Sequence, residues 1–249
     1  MVYYKGYNEK VSFKTRFKNA IKQKRFVKSI ISFVKQDIFV PYIKYYLIKF
    51  NHTLFGNSFL VGNNEYNYLL KRHTYIDNER IIEIPYALSF VLKHNAEDTL
   101  EVGNVLGGYY DLKHDVLDKY EIASNVINKD VVKFNNGKKY DLIVSISTLE
   151  HVGWDEPKRE KTKILKALDN LKSLLTKNGI LLFTVPLGYN KYLDALLNEN
   201  KIKLSEAYFL KRISTNNRWI ETTWNEVKNT KYGEPFEAAN AIMIGIIRR

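Results

Sequence analysis

Two adjacent side chains in the stretch STLEHVGWDE, Glu150 and His151, have the types that move protons. A histidine titrates at about pH 6.5 when unperturbed, which suits a base near neutrality. Glu150 is the other candidate base. Either residue could instead start a helix or form a structural pair. Three further acids stand where predicted strands end. Glu101 precedes Gly103 in TLEVGNVLGG, Asp118 closes VLD, and Asp130 lies in NKDVVKF. A glycine at a strand end lets backbone N–H groups approach a ligand with no β-carbon in the way. The Asp118 carboxylate offers two oxygens to a pair of ribose-like hydroxyls. Asp130 could meet an adenine amino group. In an open parallel sheet ligands lie beyond the carboxyl ends of the strands, and this spacing suits one ligand across three of them.

The elements that must position these groups are legible as alternating strands and helices. TLEVG and KYDLIVSIS (139–147) read as apolar strands, the second continuous enough for a parallel sheet covered on both faces. GILLFTVP and AIMIGII read as two more. NERIIEIPYALSFVLKH reads as a helix with Pro85 near an end or at a kink. Residues 157–177 read as a helix whose stripe is Ile164, Leu165, Leu168, Leu171, Leu174 and Leu175, stopped by Asn178-Gly179. The alternation predicts an α/β three-layer sandwich.

The successive motifs TLEVGNVLGG, VLDKYE, NKDVVKF, KYDLIVSISTLEHVG and GILLFTVPLGYN resemble those of class I S-adenosylmethionine-dependent methyltransferases. The likeness is to methyltransferase-like proteins of glycan and surface-polysaccharide gene clusters, which also carry a segment like Asn78-Glu79-Arg80 and Glu83-Ile84-Pro85 before the first strand. It covers roughly residues 75–249. It implies a Rossmann-like, seven-stranded, mostly parallel sheet with an antiparallel last strand. It implies S-adenosylmethionine as cofactor and a small-molecule or glycan-linked acceptor, methylated on oxygen or nitrogen. By the resemblance, Glu101 organises the turn and the methionine ammonium, and Gly103 and Gly107 shape the methionine side. Asp118 holds the ribose, Asp130 and Val131 face the adenine, and Ser147 and Thr148 border the transferred methyl. The chain departs from the pattern at Val105, where the family has a glycine, and in a first crossover with room for only one or two helical turns.

The 249 residues contain no cysteine, which excludes disulfides, thiolate catalysis and Cys-ligated zinc. There is no serine elbow, phosphate-loop lysine motif or zinc or magnesium constellation, so hydrolase and kinase readings lack support. The net charge of +12 is concentrated in residues 1–50, where 12 Lys/Arg face only Glu9 and Asp37. The rest of the chain is nearly balanced, which argues against a body built for nucleic acid. We divide the chain into a basic, aromatic-rich helical arm (1–74) and a methyltransferase-like domain (75–249). In the arm, Phe13, Phe17, Ala20, Val27, Ile31, Val34 and Ile38 form an amphipathic helical stripe ended near Pro41. The arm can pack on the body, lie on an anionic membrane, hold a protein partner or, in an RNA methyltransferase, track phosphates. The absence of a secretory signal or an 18-residue apolar run predicts a cytoplasmic location, at the inner membrane face if the arm binds lipid. A non-catalytic protein on the same fold, its pocket closed by Val105, is the other alternative. Tyr189 and Asn190 could touch an acceptor or serve a turn. Arg212, Arg218, Trp219 and Trp224 could meet a sugar or phosphate, or lie in a loop over a sheet edge.

Overall fold

The computed structural model describes residues 40–70 and 77–249. Contacts divide the chain into two units, Val2–Gly56 and a larger one dominated by Asn57–Arg249. The Phe13 to Ile38 stripe lies outside the described residues. In the smaller unit, α1 runs Val40–Phe55, so PYIKYYLIKF is helical and Pro41 sits in a first turn. Proline is tolerated there because first-turn N–H groups have no intrahelical partner.

The larger unit opens with an antiparallel hairpin, β1 (Ser58–Val61) and β2 (Asn64–Asn67). Helix α2 follows (Arg80–Val91), with Pro85 in its interior and not at an end. Pro85 cannot donate to the carbonyl of Ile81, and that carbonyl accepts the N–H of Leu69 instead at 2.9 Å. The main sheet comprises β3 (Thr99–Val102), β4 (Asp115–Asp118), β5 (Ile127–Asn128), β6 (Tyr140–Ile146), β7 (Leu175–Pro186), β8 (Glu206–Arg212), β9 (Trp219–Thr222) and β10 (Ala241–Arg248). Their order is β5-β4-β3-β6-β7-β10-β8-β9. β3 to β7 pair in parallel, and β10 inserts antiparallel between β7 and β8. The sheet therefore has eight strands, not seven. The eighth is β9, which turns part of RISTNNRWIETTW into an edge strand paired antiparallel with β8.

Helices cover both faces. α3 (Lys163–Leu174) connects β6 to β7, and α4 (Lys191–Asn198) follows β7. Ile164, Leu168 and Leu171 of α3 pack with Ile143, Leu181, Phe183 and Met243. Strand alternation turns Leu142, Val144 and Ile146 to the opposite face, where α2 lies against β6. A short α5 (Trp224–Val227) precedes β10. α3 is shorter than its stripe predicts at both ends. Residues 157–162 are irregular, and Leu175 already belongs to β7. Asn178-Gly179 is therefore inside a strand. A β-carbon on Gly179 would fall 2.8 Å from the carbonyl oxygen of Tyr140, so that strand contact requires glycine. The first crossover holds only a three-residue 3₁₀ turn, Leu106–Gly108, consistent with paired glycines being poor helix formers.

The chain runs outward from β3 to β4 and β5, then returns to the other side of β3 with β6. Strand order reverses there, which places the crevice of such a sheet at the carboxyl ends of β3 and β6.

Candidate functional site

The turn after β3 is built around Glu101, fully buried at the end of an all-buried strand. Its Oε1 accepts the N–H groups of Val105 at 2.8 Å and Leu106 at 2.7 Å. Its Oε2 lies 2.8 Å from Nε2 of the buried His114. Both carboxylate oxygens therefore hold the turn, and the residue in the first crossover that answers Glu101 is His114. Gly103 adopts φ +86°, a conformation that favours glycine. Its face is covered: a β-carbon there would fall 2.2 Å from Thr148 Oγ1. Gly107 is likewise pressed by Asn104, whose Nδ2 donates to Glu121 at 2.8 Å.

Asp118 closes β4. Its Oδ1 accepts the N–H groups of Tyr120 at 2.7 Å and Glu121 at 2.8 Å, which fixes the carboxylate at the strand end. Asp130 stands in a charge cluster that sequence spacing does not reveal. Its Oδ1 accepts the N–H of Val132, and its Oδ2 meets Lys163 at 2.9 Å and Lys119 at 3.0 Å. Glu156 closes the ring, 2.6 Å from Lys163 and 2.9 Å from Lys119. Partial burial works to raise the Asp130 pKa, but the bonds from Lys163, Val132 and Lys119 outweigh it and bring it down to about 2. Val131 beside it is buried.

The end of β6 carries the second half of the site. Ser147 takes φ +37°, uncommon for a residue with a side chain. Its N–H donates to Thr184 of β7, and its Oγ donates to Glu83 of α2 at 2.5 Å. Arg80 completes this link, 2.9 Å from Glu83 and donating to the carbonyl of Ile146 at 3.1 Å. Thr148 Oγ1 donates to the same carbonyl at 3.0 Å.

Glu150 and His151 follow in a 3₁₀ turn. Glu150 is 1% exposed, and its Oε2 has no hydrogen-bond partner. Burial drives its pKa up to about 7, against the pull of His151. Its Oε1 lies 3.5 Å from His151 Nε2. On the other side of the ring, His151 Nδ1 makes a short hydrogen bond with Asp155, which also accepts the Tyr189 hydroxyl at 2.6 Å. Burial disfavours the charged imidazole, but Glu150 and Asp155 together outweigh it and raise the His151 pKa. Asp155 is lowered in turn: the bonds from His151 and Tyr189 overcome its partial burial. Tyr189 stacks edge-on against His151 and Tyr232, both at 5.1 Å. Asn190 does structural work. Its Oδ1 caps α4 through the N–H groups of Tyr192 and Leu193, and its Nδ2 donates to the Glu150 carbonyl at 2.6 Å.

The structure thus brings Glu150, His151, Asp155 and Tyr189 together beyond β6 and β7, with Glu101, Gly103, Ser147 and Thr148 at the adjoining ends of β3 and β6. Asp118 stands one strand further out, and Asp130 is held by lysines. Asp155 was not singled out from the sequence, although its place four residues after His151 in one turn was a readable signal. Arg212 and Trp219 are also internal. Arg212 donates to the carbonyls of Asp77 and Glu237, and Trp219 donates to Asn217. Among the described residues no group of three or more His, Cys, Asp or Glu could hold a metal ion. No described helix is long and apolar enough to cross a membrane.

No protein-family model matches the chain, and no curated protein sequence does. Solved structures similar in fold include the N-methyltransferase NodS from Bradyrhizobium japonicum in complex with S-adenosyl-L-homocysteine. That likeness has 15% identity, a TM-score of 0.46, and covers 70% of this chain and 89% of that one. They also include an S-adenosylmethionine-dependent methyltransferase from Clostridium acetobutylicum, at 9% identity and TM-score 0.33, covering 66% and 90%. A third is the glycopeptide N-methyltransferase MtfA, at 9% identity and TM-score 0.33, covering 66% and 86%. These are likenesses of overall fold, and the reading of the site rests on its own residues.

Proposed function

We propose that the chain is an S-adenosylmethionine-dependent methyltransferase acting on a small-molecule or glycan-linked hydroxyl or amine. The observation that carries this reading is the Asp155–His151–Glu150 constellation, seated at the strand ends beside the point where strand order reverses. The fit to the cofactor is supported by Gly103 in its left-handed conformation, by Asp118 at the next strand end, and by the orphaned Oε2 of buried Glu150, which asks for a donor. Asp118 would hold the ribose and Val131 would face the adenine. Gly103, Ser147 and Thr148 would border the methionine portion. When bound, S-adenosylmethionine supplies a methyl group on a sulfonium. His151 takes the acceptor's proton at a ring nitrogen, and Asp155 fixes the ring and stabilises its charged form. Tyr189 holds Asp155 in place. The reading extends to a cytoplasmic enzyme that uses no metal.

A second reading has two observations in its favour. Thr148 covers Gly103, and two lysines occupy the carboxylate of Asp130, as expected of a non-catalytic protein on a methyltransferase frame. Calorimetric titration with S-adenosylmethionine and its demethylated product separates the two. Micromolar binding that Asp118→Ala weakens supports the enzyme. No binding by the intact chain at about millimolar ligand, equivalent to less than about 4 kcal/mol of affinity, supports the non-catalytic protein.

A further inference from the structure

Helix α1 carries its apolar stripe on the outside. Ile43, Leu47, Phe50 and Leu54 are 40, 59, 64 and 59% exposed, while Ile48 and His52 are buried. At about 100° per residue the four exposed residues fall within roughly 60° of one another on the helix surface. Lys44 and Lys49 then lie about 100° and 120° away on opposite flanks of the stripe. Tyr42 and Tyr46 stand beside it, half-exposed, with ring centroids 4.6 Å apart. No carboxylate occurs anywhere in the 16 residues. A helix packed on its own protein turns its apolar stripe inward and its charges outward. α1 instead exposes a row of four large apolar side chains alongside its lysines, a surface that marks a binding face.

We propose that α1 lies in the plane of an anionic lipid surface, with Ile43, Leu47, Phe50 and Leu54 among the acyl chains and Lys44 and Lys49 reaching up to the headgroups. Lysines on both flanks can stretch their charged ends to water while their methylene stems stay in apolar surroundings. Tyrosines at the border suit the headgroup layer, where an apolar ring and a polar hydroxyl are both satisfied. Charge complementarity selects the partner. Residues 1–50 hold 12 Lys/Arg and only two acids, whereas the remaining residues are nearly balanced. A protein partner would present its own hydrogen-bonding pattern, and the α1 stripe offers it almost no polar group to match. A lipid surface needs only apolar area and diffuse negative charge. This inference is independent of the methyl-transfer reading.

The test is co-sedimentation of the full chain with phosphatidylglycerol/phosphatidylcholine vesicles and with pure phosphatidylcholine vesicles. Binding is expected to the anionic vesicles, to weaken between about 0.1 and 0.5 M salt, and to be absent from the neutral ones. A Leu47→Glu/Phe50→Glu double variant should lose at least about tenfold in partitioning, because it removes apolar area and adds repulsion. Its thermal unfolding should match wild type, since both positions are exposed. Lys44→Gln/Lys49→Gln should weaken binding and reduce its salt dependence. Failure to bind anionic vesicles would overturn the proposal, as would equal binding by the double glutamate variant, which would make the attraction charge alone. A lipid-free dimer that the same variant dissociates would reassign the stripe to a second copy of the chain.

Discussion

Thr148 and Gly103 touch across the ends of β6 and β3 so closely that a single β-carbon on Gly103 would fall 2.2 Å from the threonine hydroxyl. The contact joins the two strands that flank the reversal point, and Thr148 is anchored there by its bond to the Ile146 carbonyl. Gly103→Ala should therefore destabilise the chain by about 2 kcal/mol or more, combining the strained φ with the clash. Thr148→Ala should fold normally and tighten binding of S-adenosylhomocysteine by about fivefold, roughly 1 kcal/mol, because the glycine face becomes open. Unfolding and calorimetric titration of the two variants check both statements. Weaker binding by Thr148→Ala would mean the side chain contacts the ligand.

Glu150 should make stability depend on pH in an unusual direction. Its folded pKa of about 7 stands above the ordinary 4.5. Between those values the folded chain holds more protons than the unfolded one, so the Glu150 contribution to stability falls as pH rises through that window. The shift corresponds to at most about 3 kcal/mol. Glu150→Gln removes the dependence. Its stability relative to wild type should improve from about pH 5 to about pH 8 in urea unfolding, by an amount up to that limit. A constant difference across the range would show that Glu150 has a partner in solution.

His151 as base must be neutral, and its pKa is raised above the ordinary 6.5 by Glu150 and Asp155 despite burial. Turnover should rise with pH through a midpoint above 6.5. Asp155→Asn removes a charge that holds the proton on the ring, so the midpoint should move down while the maximal rate falls moderately. His151→Ala should lose about 10²–10⁴-fold in rate with little change in cofactor affinity. A pH–rate profile unmoved by Asp155→Asn would leave the pair a structural one.

The central strands of the sheet were legible in the sequence for a physical reason. Strands buried on both faces read as unbroken apolar runs, and KYDLIVSIS and AIMIGII became β6 and β10 with little change. β9 was not legible because four residues of mixed polarity form a strand only by pairing with β8. Asn178-Gly179 has the composition of a helix stop, but a tertiary contact with Tyr140 places it inside β7. At the site, the Glu150–His151 position was visible from its place after a strand. The ring of Lys119, Asp130, Glu156 and Lys163 was not, since its members come from separate connections that meet only in the folded sheet. The Pro85 position shows the same limit: a helix interior accepts it because a distant N–H, that of Leu69, takes the vacated carbonyl.

The small hairpin at the start of the larger unit acts as a guard on the sheet. β9 is the outer strand of its edge, and an exposed strand edge invites pairing with another chain. The Tyr68 hydroxyl, just past β2, accepts the Trp219 N–H at 2.9 Å and donates to the Trp219 carbonyl at 3.2 Å, while the Gly62 N–H meets Glu221 at 2.7 Å. Both main-chain groups at the head of β9 are thereby satisfied from within the molecule. A chain shortened to begin after Tyr68 would keep every strand of the main sheet and still lose this cover, and its failure would show first as aggregation.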